Sequence, residues 1–444
     1  MSENKDIENL KKNLFYTPKH AAQVMTAEQI ADADEYGEEY KQFLNTAKTE
    51  REAVSEAVRL AEEAGFVPFD RTARLKPGDK VYLNNRGKSL LLAVIGTRPI
   101  TDGVSIAAAH IDSPRLDLKP NPLYEDHQLA YFDTHYYGGI KKYQWTTIPL
   151  ALHGVIVRKD GSTVTVRIGE DETDPVFCVT DLLPHLGGEQ MKRPANQIVK
   201  GEDLNLLIGS RPLNGDEGSE MVKLNIMSIL HKKYGIVEDD FLSAELEIVP
   251  AFRARDLGFD RSMIAGYGHD DRVCAYPALT AILRTGTPAY TAVTILADKE
   301  EIGSDGNTGM KSSFLPYFID DLAAMFGEKG HHVLSRSVCL SADVNAAFDN
   351  LSRSDGIAQL RISEQRRRDH QIHRRGRQIR HIGCLGGADG HGAPSDGRAA
   401  GAVAGRRAGQ SGCRRRRNSR QVYRQSGCGN GGYGRAGAVD ARAL

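Results

Sequence analysis

Histidine and acidic residues follow several apolar segments of this chain, in places where they could bind a metal ion. They are His110 after SIAAA, Glu300 and Glu301 in TILADKEE, Asp343 after SVCLSA, and the pair Asp270 and Asp271 in GYGHDDR. A histidine combined with several carboxylates offers mixed nitrogen and oxygen ligands, which suit zinc, manganese or cobalt.

Each group alone has an ordinary structural explanation. Asp-Asp-Arg is typical of a solvated turn or helix cap, Lys-Glu-Glu of an exposed face, and a lone strand-end histidine often bonds to the backbone. Their joint placement is more informative, because ligand sites in open α/β sheets lie beyond the carboxyl ends of the strands. The pattern therefore favours a shared site.

The segments around these groups predict a mixed α/β layer. REAVSEAVRLAEEA at 51–64 has a helical apolar face and is followed by Gly65, a typical stop signal. KVYL and SLLLAVIG predict two strands around NNRGK, and the runs ending at His110, TAVTILA and SVCLS suit buried strands.

The predicted secondary structure changes between about residues 121 and 245. Short β-like pieces such as STVTVRIG dominate there, followed by the helical stretch EGSEMVKLNIMSILHKKYG. We interpret 121–245 as an inserted β-rich domain that interrupts an α/β catalytic domain made of 1–120 and 246–349. Residues 350–444 form a separate tail.

The net charge of zero conceals two unlike regions. Residues 351–444 hold 20 Arg, no Lys and 6 acidic residues, which leaves 38 Lys+Arg and 52 Asp+Glu for residues 1–350. The tail also holds 18 Gly and no Phe, Trp or Met, too little apolar material for a core. The N-terminal segment has no apolar run, so we expect a cytoplasmic protein without a membrane span.

Four segments resemble the aspartyl aminopeptidase family of zinc aminopeptidases. They are AAAHIDSPRLDLKP, GYGHDDRVCAY, ADKEEIGSDGNTG and SADVNAAFD, and the likeness extends to AKTERE at 47–52 and to LNLLIGSRPL. The resemblance covers essentially all of 10–349. It implies a metal-dependent hydrolase that removes the N-terminal residue of a peptide.

The resemblance also implies a role for each candidate residue. Asp270 would bridge two zinc ions, with cobalt or manganese as alternatives; His110 and Asp343 would complete one site and Glu301 would contribute to the other. Glu300 would be the general base, taking a proton from water and returning it to the leaving amine. Asp112 would orient the His110 imidazole.

In the family, the insertion forms a dimer contact and sends a histidine into the neighbouring active site. The matching segment is CVTDLLPHLGG, so His185 is the candidate, either for substrate contact or as a ligand; a plain surface histidine is the alternative. A dimer-based homo-oligomer, up to a dodecamer, is expected. The resemblance allows acidic or neutral N-terminal residues.

The tail lacks the family's last ligand, a histidine in a string like LSMHAP. Read one base later, however, the codons for Arg414 to Gln425 can encode GGGGTVAKYIA, and those for Ala438 to Leu444 can encode LSMHAP. Arg367 to Arg375 and Arg377 to Leu385 can yield VVITKYTG and GKSGTSDA in the same frame. We therefore predict a frame shift near codon 350, which impairs this chain by removing the histidine.

Two other functions remain open from the residues. Clustered Arg with flexible Gly can follow phosphates, so the tail could bind nucleic acid, although Tyr423 and Tyr433 are its only aromatic residues. A carboxypeptidase or deacylase with a similar metal geometry is the alternative among enzymes. The family resemblance disfavours both.

Overall fold

The structure is a computed structural model that describes residues 2–15, 21–215 and 218–344, together with the backbone of 371–375 and 378–382. Its helices are α1 Ser2–Leu14, α2 Ala27–Thr46, α3 Glu50–Glu63, α4 Met221–Tyr234, α5 His269–Arg284, α6 Phe314–Met325 and α7 Gly330–Arg336. Among the described residues, no helix is long and apolar enough to cross a membrane.

Seventeen strands are described in three sheets. They are β1 Val67–Pro68, β2 Lys80–Asn85, β3 Ser89–Val94, β4 Ser105–His110, β5 Arg115–Asp126, β6 Leu129–Tyr137, β7 Leu150–Val157, β8 Thr163–Ile168, β9 Cys178–Val179, β10 Leu206–Gly209, β11 Ala244–Pro250, β12 Arg255–Leu257, β13 Met263–Ala265, β14 Ala292–Ala297, β15 Val338–Asp343, β16 Gln371–Arg375 and β17 Gln378–Ile382.

The first sheet is mixed and has the order β1-β2-β3-β14-β4-β15-β17-β16. Its centre follows the sequence prediction: β2 and β3 form the antiparallel hairpin, and β14 and β15 run parallel to β4 on either side. Because side chains alternate along a strand, β3 supplies both faces. Leu90 and Leu92 pack with α2, α3 and α5, whereas Leu91 and Ala93 pack with α6 and α7.

Helix α3 confirms the predicted amphipathic helix near residue 51. Thr49 caps its first turn by accepting a hydrogen bond from the Glu52 amide, and the Thr49 amide donates one to the Glu52 carboxylate. The buried face includes Val54 and Ala57. Gly65, in the left-handed region at φ 85°, follows the end of the helix.

The second sheet is antiparallel, with the order β8-β7-β11-β5-β6-β10-β9. One of its faces packs with α4 around Leu116, Phe132 and Ile248. Its strands extend from Arg115 to Pro250, a slightly wider range than the predicted insertion at 121–245. The end of β6 brings this sheet to the candidate site described below.

Most of the predicted out-of-frame tail lies outside the described residues. Of that region, the structure describes β16 and β17, which pair with each other in antiparallel fashion. β17 also pairs in parallel with β15, so these strands extend the first sheet beyond Asp343.

Candidate metal centre

Three neighbouring parallel strands bring the candidate ligands to one edge of the first sheet. His110 ends β4 and is level with Ala297 of β14, so Glu300 and Glu301 follow just beyond that edge. On the other side, Ser341 of β15 is level with Ala108, so Asp343 ends at the same level as His110. The convergence of separate segments follows directly from this register.

Three predicted carboxylates surround one imidazole nitrogen. His110 Nε2 lies 3.2 Å from Asp270 Oδ1, 3.9 Å from Glu300 Oε2 and 4.0 Å from Asp343 Oδ1. The His110 side chain is only 3% exposed, so its imidazole is shielded from bulk water, whereas the Asp270 side chain is 26% exposed. The structure thus places together one histidine and three carboxylates that are far apart in sequence.

Asp271 also reaches this point, although the sequence analysis gave it no ligand role. His110, Asp271 and Asp343 each offer a ligand atom, and these atoms lie within 4.8 Å of one another. Asp271 is fully buried, and the peptide bond joining it to Asp270 is cis. The Asp-Asp pair itself was the available signal, since either carboxylate could turn inward.

Several buried polar atoms at this centre lie near one another but make no hydrogen bond to a described residue. Within the described part of the chain, His110 Nε2, Asp270 Oδ1 and both Asp343 carboxylate oxygens make no hydrogen bond of acceptable geometry. Buried polar atoms normally have partners, because an unpaired one costs free energy. One imidazole nitrogen and convergent carboxylate oxygens fit a zinc ion.

Burial raises the pKa values of several carboxyl groups at this centre. Burial raises the pKa of Asp343 to about 7, with His110 opposing the rise and Asp270 adding to it. Burial and the Asp270 charge raise the pKa of Glu301 to about 8. Burial also raises the pKa of Asp271 well above its usual value. A bound cation would favour the ionised forms.

The Asp112 carboxylate holds several of these groups in place. The Asp112 carbonyl oxygen lies 3.0 Å from His110 Nδ1, and its Oδ1 lies 3.3 Å from the same nitrogen. Oδ1 and Oδ2 accept hydrogen bonds of 3.1 Å from the backbone amides of Glu300 and Glu301. Asp112 therefore contacts the imidazole, as the resemblance implied, and also the glutamate turn.

Asp270 is fixed by a chain of contacts that the sequence analysis missed. The Ser113 hydroxyl donates to the Asp270 carbonyl at 2.6 Å and accepts from Arg272 Nη1 at 2.6 Å. Arg272 is fully buried and also donates to the Lys48 carbonyl at 2.9 Å. Their positions beside Asp112 and Asp271 were the only signal in the sequence.

A cavity of about 310 Å³ opens beside the cluster. Asp270, Ser113 and Tyr267 line it, together with Lys141 and Trp145 from the segment after β6. Among the described residues, Lys141 and Asp270 are the charged ones in its lining. This cavity gives a ligand access to Asp270.

His185 is not brought into the cluster within this chain. It is exposed, in the segment after β9, and its neighbours Leu183 and Leu186 are 67% and 73% exposed. Among the described residues, no hydrogen bond or ion pair connects His185 to the site. The role suggested for it remains a prediction.

Comparison with known proteins identifies the family. The family model described as aminopeptidase I zinc metalloprotease (M18) matches residues 43–352. The chain belongs to the M18 aminopeptidase family. It is thus assigned to a family of metal-dependent hydrolases, and the matches give no support to nucleic-acid binding.

Individual M18 relatives agree with this assignment. A probable M18 family aminopeptidase 1 from Clostridium acetobutylicum is 53% identical over 329 residues, which cover 72% of this chain and 71% of the relative. The Thermotoga maritima protein of the same description is 47% identical over 326 residues, covering 72% and 70%.

Solved M18 structures show the same fold. The crystal structure of the M18 aminopeptidase from Thermotoga maritima has a TM-score of 0.72 and 44% identity, and the match covers 76% of this chain and 74% of that one. Aminopeptidase I from Clostridium acetobutylicum has a TM-score of 0.70 and 47% identity, with coverage of 76% and 75%. The mixed α/β prediction is confirmed.

Proposed function

We propose that the site hydrolyses the bond after the N-terminal residue of a peptide, using an activated water molecule. The convergence of buried ligand atoms of His110, Asp270 and Asp343, which make no hydrogen bonds within the described chain, beside an open cavity carries this proposal. Glu300, 3.9 Å from His110 Nε2, is close enough to act on a reactant held at the same point.

We assign the residues to two zinc positions. His110 and Asp343 would hold one ion, Glu301 the other, and Asp270 would contact both, while Asp271 offers the first ion a further oxygen. Bound zinc would lower the pKa of water and stabilise the developing oxyanion. Cobalt or manganese could bind the same donors.

Glu300 is proposed as the general base. Its carboxylate takes the proton from the attacking water and delivers it to the amine of the leaving peptide, so that the C–N bond breaks without releasing an unstable amide anion. The Glu300 backbone amide donates a hydrogen bond of 3.1 Å to Asp112 Oδ1, and this contact fixes the backbone from which the Glu300 side chain extends.

We further propose that the site prefers an acidic N-terminal residue, one of the two classes that the aspartyl aminopeptidase resemblance allows. Lys141 supplies positive charge to the lining, and among the described residues none forms an ion pair with it. Asp270 lines the same cavity but is assigned to the zinc ions, so Lys141 is the charge that would meet the substrate side chain. A substrate whose N-terminal residue has an acidic side chain would match the Lys141 charge.

We also propose that the tail is read in the wrong frame. The family match ends at residue 352, close to the change in composition, and the shifted frame can restore the expected LSMHAP histidine across Ala441 and Arg442. Without that ligand, the second zinc position keeps only Asp270 and Glu301. Sequencing the gene beyond codon 350 tests this directly: a neighbouring frame that does not encode GGGGTVAKYIA and LSMHAP would contradict the proposal.

A cytoplasmic homo-oligomer is the proposed working form. We divide the chain into a catalytic domain of 1–120 and 246–349, an insertion of 121–245 and a tail of 350–444. In this division the insertion, which holds most of the second sheet, would form the subunit contact. Exposed Leu183 and Leu186 beside His185 support such a contact. A neighbour at 18% identity is described as the S. cerevisiae mApe1 dodecamer.

The activity is tested with protein expressed from the frame-restored gene and supplied with zinc. We expect release of the N-terminal residue from unblocked aminoacyl anilides and none from N-acetylated ones. Glu300→Gln should lower kcat by about 10²–10⁴-fold while zinc remains bound, because it removes the base. Zinc binding without aminopeptidase activity would refute the proposed function.

A further inference from the structure

Tyr137, the last residue of β6, reaches the candidate site from the second sheet. Its hydroxyl donates a hydrogen bond of 2.8 Å to Asp112 Oδ2. The same carboxylate accepts the amides of Glu300 and Glu301 and lies beside His110 Nδ1. The Tyr137 hydroxyl therefore contacts the same Asp112 carboxylate that orients the His110 imidazole and the turn at Glu300 and Glu301.

The Tyr137 ring is itself fixed by a buried cation. The Arg115 guanidinium lies over the ring, 3.9 Å from its centroid. Arg115 is held by Asp117 at 2.8 Å, Glu247 at 3.2 Å and Glu50 at 3.3 Å. Because three carboxylates and a ring surround it, Arg115 has little freedom to move, and the ring beneath it is constrained in turn.

The hydroxyl acts as a donor. Burial, reinforced by the negative charge of Asp112, raises the pKa of Tyr137 far above the ordinary value, so the phenol keeps its proton. The Tyr137 hydroxyl therefore donates a charge-assisted hydrogen bond to the Asp112 carboxylate, and such a bond is stronger than one between neutral groups.

We propose that Tyr137 is a positioning residue for the metal centre. Its hydroxyl fixes the rotation of the Asp112 carboxylate, and Asp112 in turn fixes the His110 imidazole and the backbone at Glu300 and Glu301. The proposal rests on the proposed function, since it concerns zinc at this site. In this proposal the second sheet, through Tyr137 at the end of β6, supports the geometry of the metal centre.

Zinc affinity of the full chain tests the proposal without requiring activity. Tyr137→Phe keeps the ring over Arg115 and removes only the hydroxyl, and we expect about 10–100-fold weaker zinc binding, as for other groups that orient metal ligands. Competition with a chromophoric chelator measures this. Tyr124→Phe is the matched control, because it removes a hydroxyl of the same sheet that is bonded to Asn205 at 2.8 Å.

Two further variants separate the possible outcomes. If His110→Ala leaves zinc binding unchanged, the proposed metal site is wrong and the role of Tyr137 falls with it. If His110→Ala abolishes binding but Tyr137→Phe matches Tyr124→Phe, the metal site stands and the Tyr137 inference is overturned.

A double-mutant cycle distinguishes positioning from general support of the fold. If Tyr137 acts through Asp112, adding Tyr137→Phe to Asp112→Asn should weaken zinc binding no further. Additive losses would overturn the inference. A purely structural role would also overturn it. In that case, zinc-free Tyr137→Phe would unfold at a lower temperature than Tyr124→Phe, while the zinc affinity of the folded protein would stay unchanged.

Discussion

At the scale of single residues, the charge of the cavity should decide which N-terminal residue is accepted. Lys141→Met replaces the cationic side chain of the described lining with an uncharged one of similar length. We expect kcat/KM of the frame-restored enzyme to fall by about 10-fold or more for aspartyl and glutamyl substrates, but to change little for leucyl ones, because a charge-assisted contact is lost.

The neighbouring lysine provides the control for this prediction. Lys142 lies over the Tyr136 ring, 5.6 Å from its centroid, and does not line the cavity. Lys142→Met should therefore leave the ratio of acidic to neutral substrates unchanged. Equal effects of the two substitutions would argue against a specific role for Lys141.

The raised pKa values of Asp343 and Glu301 predict a pH dependence of zinc binding. With values of about 7 and 8, both carboxyls hold protons in the zinc-free protein at lower pH and must lose them to bind zinc. Zinc affinity should rise from about pH 6 to about pH 9, with proton release measurable by calorimetry in buffers of different ionisation enthalpy. A flat profile would show that these groups do not bind the metal.

The raised pKa values of Asp343 and Glu301 also determine how the stability of the zinc-free protein changes with pH. A raised carboxyl pKa means that the folded chain binds more protons than the unfolded chain above roughly pH 4, the unperturbed value. The free energy of unfolding should therefore decrease as pH rises towards 8, in contrast to a carboxylate stabilised by an ion pair. Saturating zinc should reverse this trend.

At the scale of elements, the residue after β6 is a sensitive position. Gly138 has φ +75°, and a Cβ there would lie 3.1 Å from Glu301 Cβ and 3.3 Å from its Oε2. Gly138→Ala should combine backbone strain of the order of 1 kcal/mol with displacement of Glu301, so that the second zinc binds more weakly. Zinc titration of the frame-restored enzyme measures this.

Gly161→Ala separates strain from displacement. Gly161 has a similar φ of +81°, but its added Cβ would meet nothing within 4 Å. It should lower the thermal unfolding midpoint by a similar amount without altering zinc binding. If Gly138→Ala behaves in the same way, close approach to Glu301 has no functional consequence.

The strand-end ligands could be predicted from sequence because their signal is local. A buried parallel strand is a continuous apolar run, so the polar residue that ends it stands out, as at His110 and Asp343. Ser113, Arg272 and Tyr137 carry no such signal. Their partners are set by long-range packing: Ser113 and the Asp270 carbonyl that it contacts are 157 positions apart.

At the scale of the whole molecule, the reading frame should determine zinc stoichiometry. In the proposed assignment, His110, Asp270 and Asp343 would hold one ion, and among the described residues Asp270 and Glu301 would be left for the other. A two-ligand position should bind zinc much more weakly than one with three protein ligands. We therefore expect about one zinc per present chain and two per frame-restored chain, as counted by native mass spectrometry.

Replacing the restored histidine of LSMHAP by alanine should return the stoichiometry to one zinc, which assigns the gain to that ligand rather than to better folding of the tail. The present chain should likewise fail to cleave aminoacyl anilides, since one zinc position is incomplete. Two bound zinc ions with full activity in the present chain would show that other residues complete the second position, and that the shifted frame is unnecessary for function.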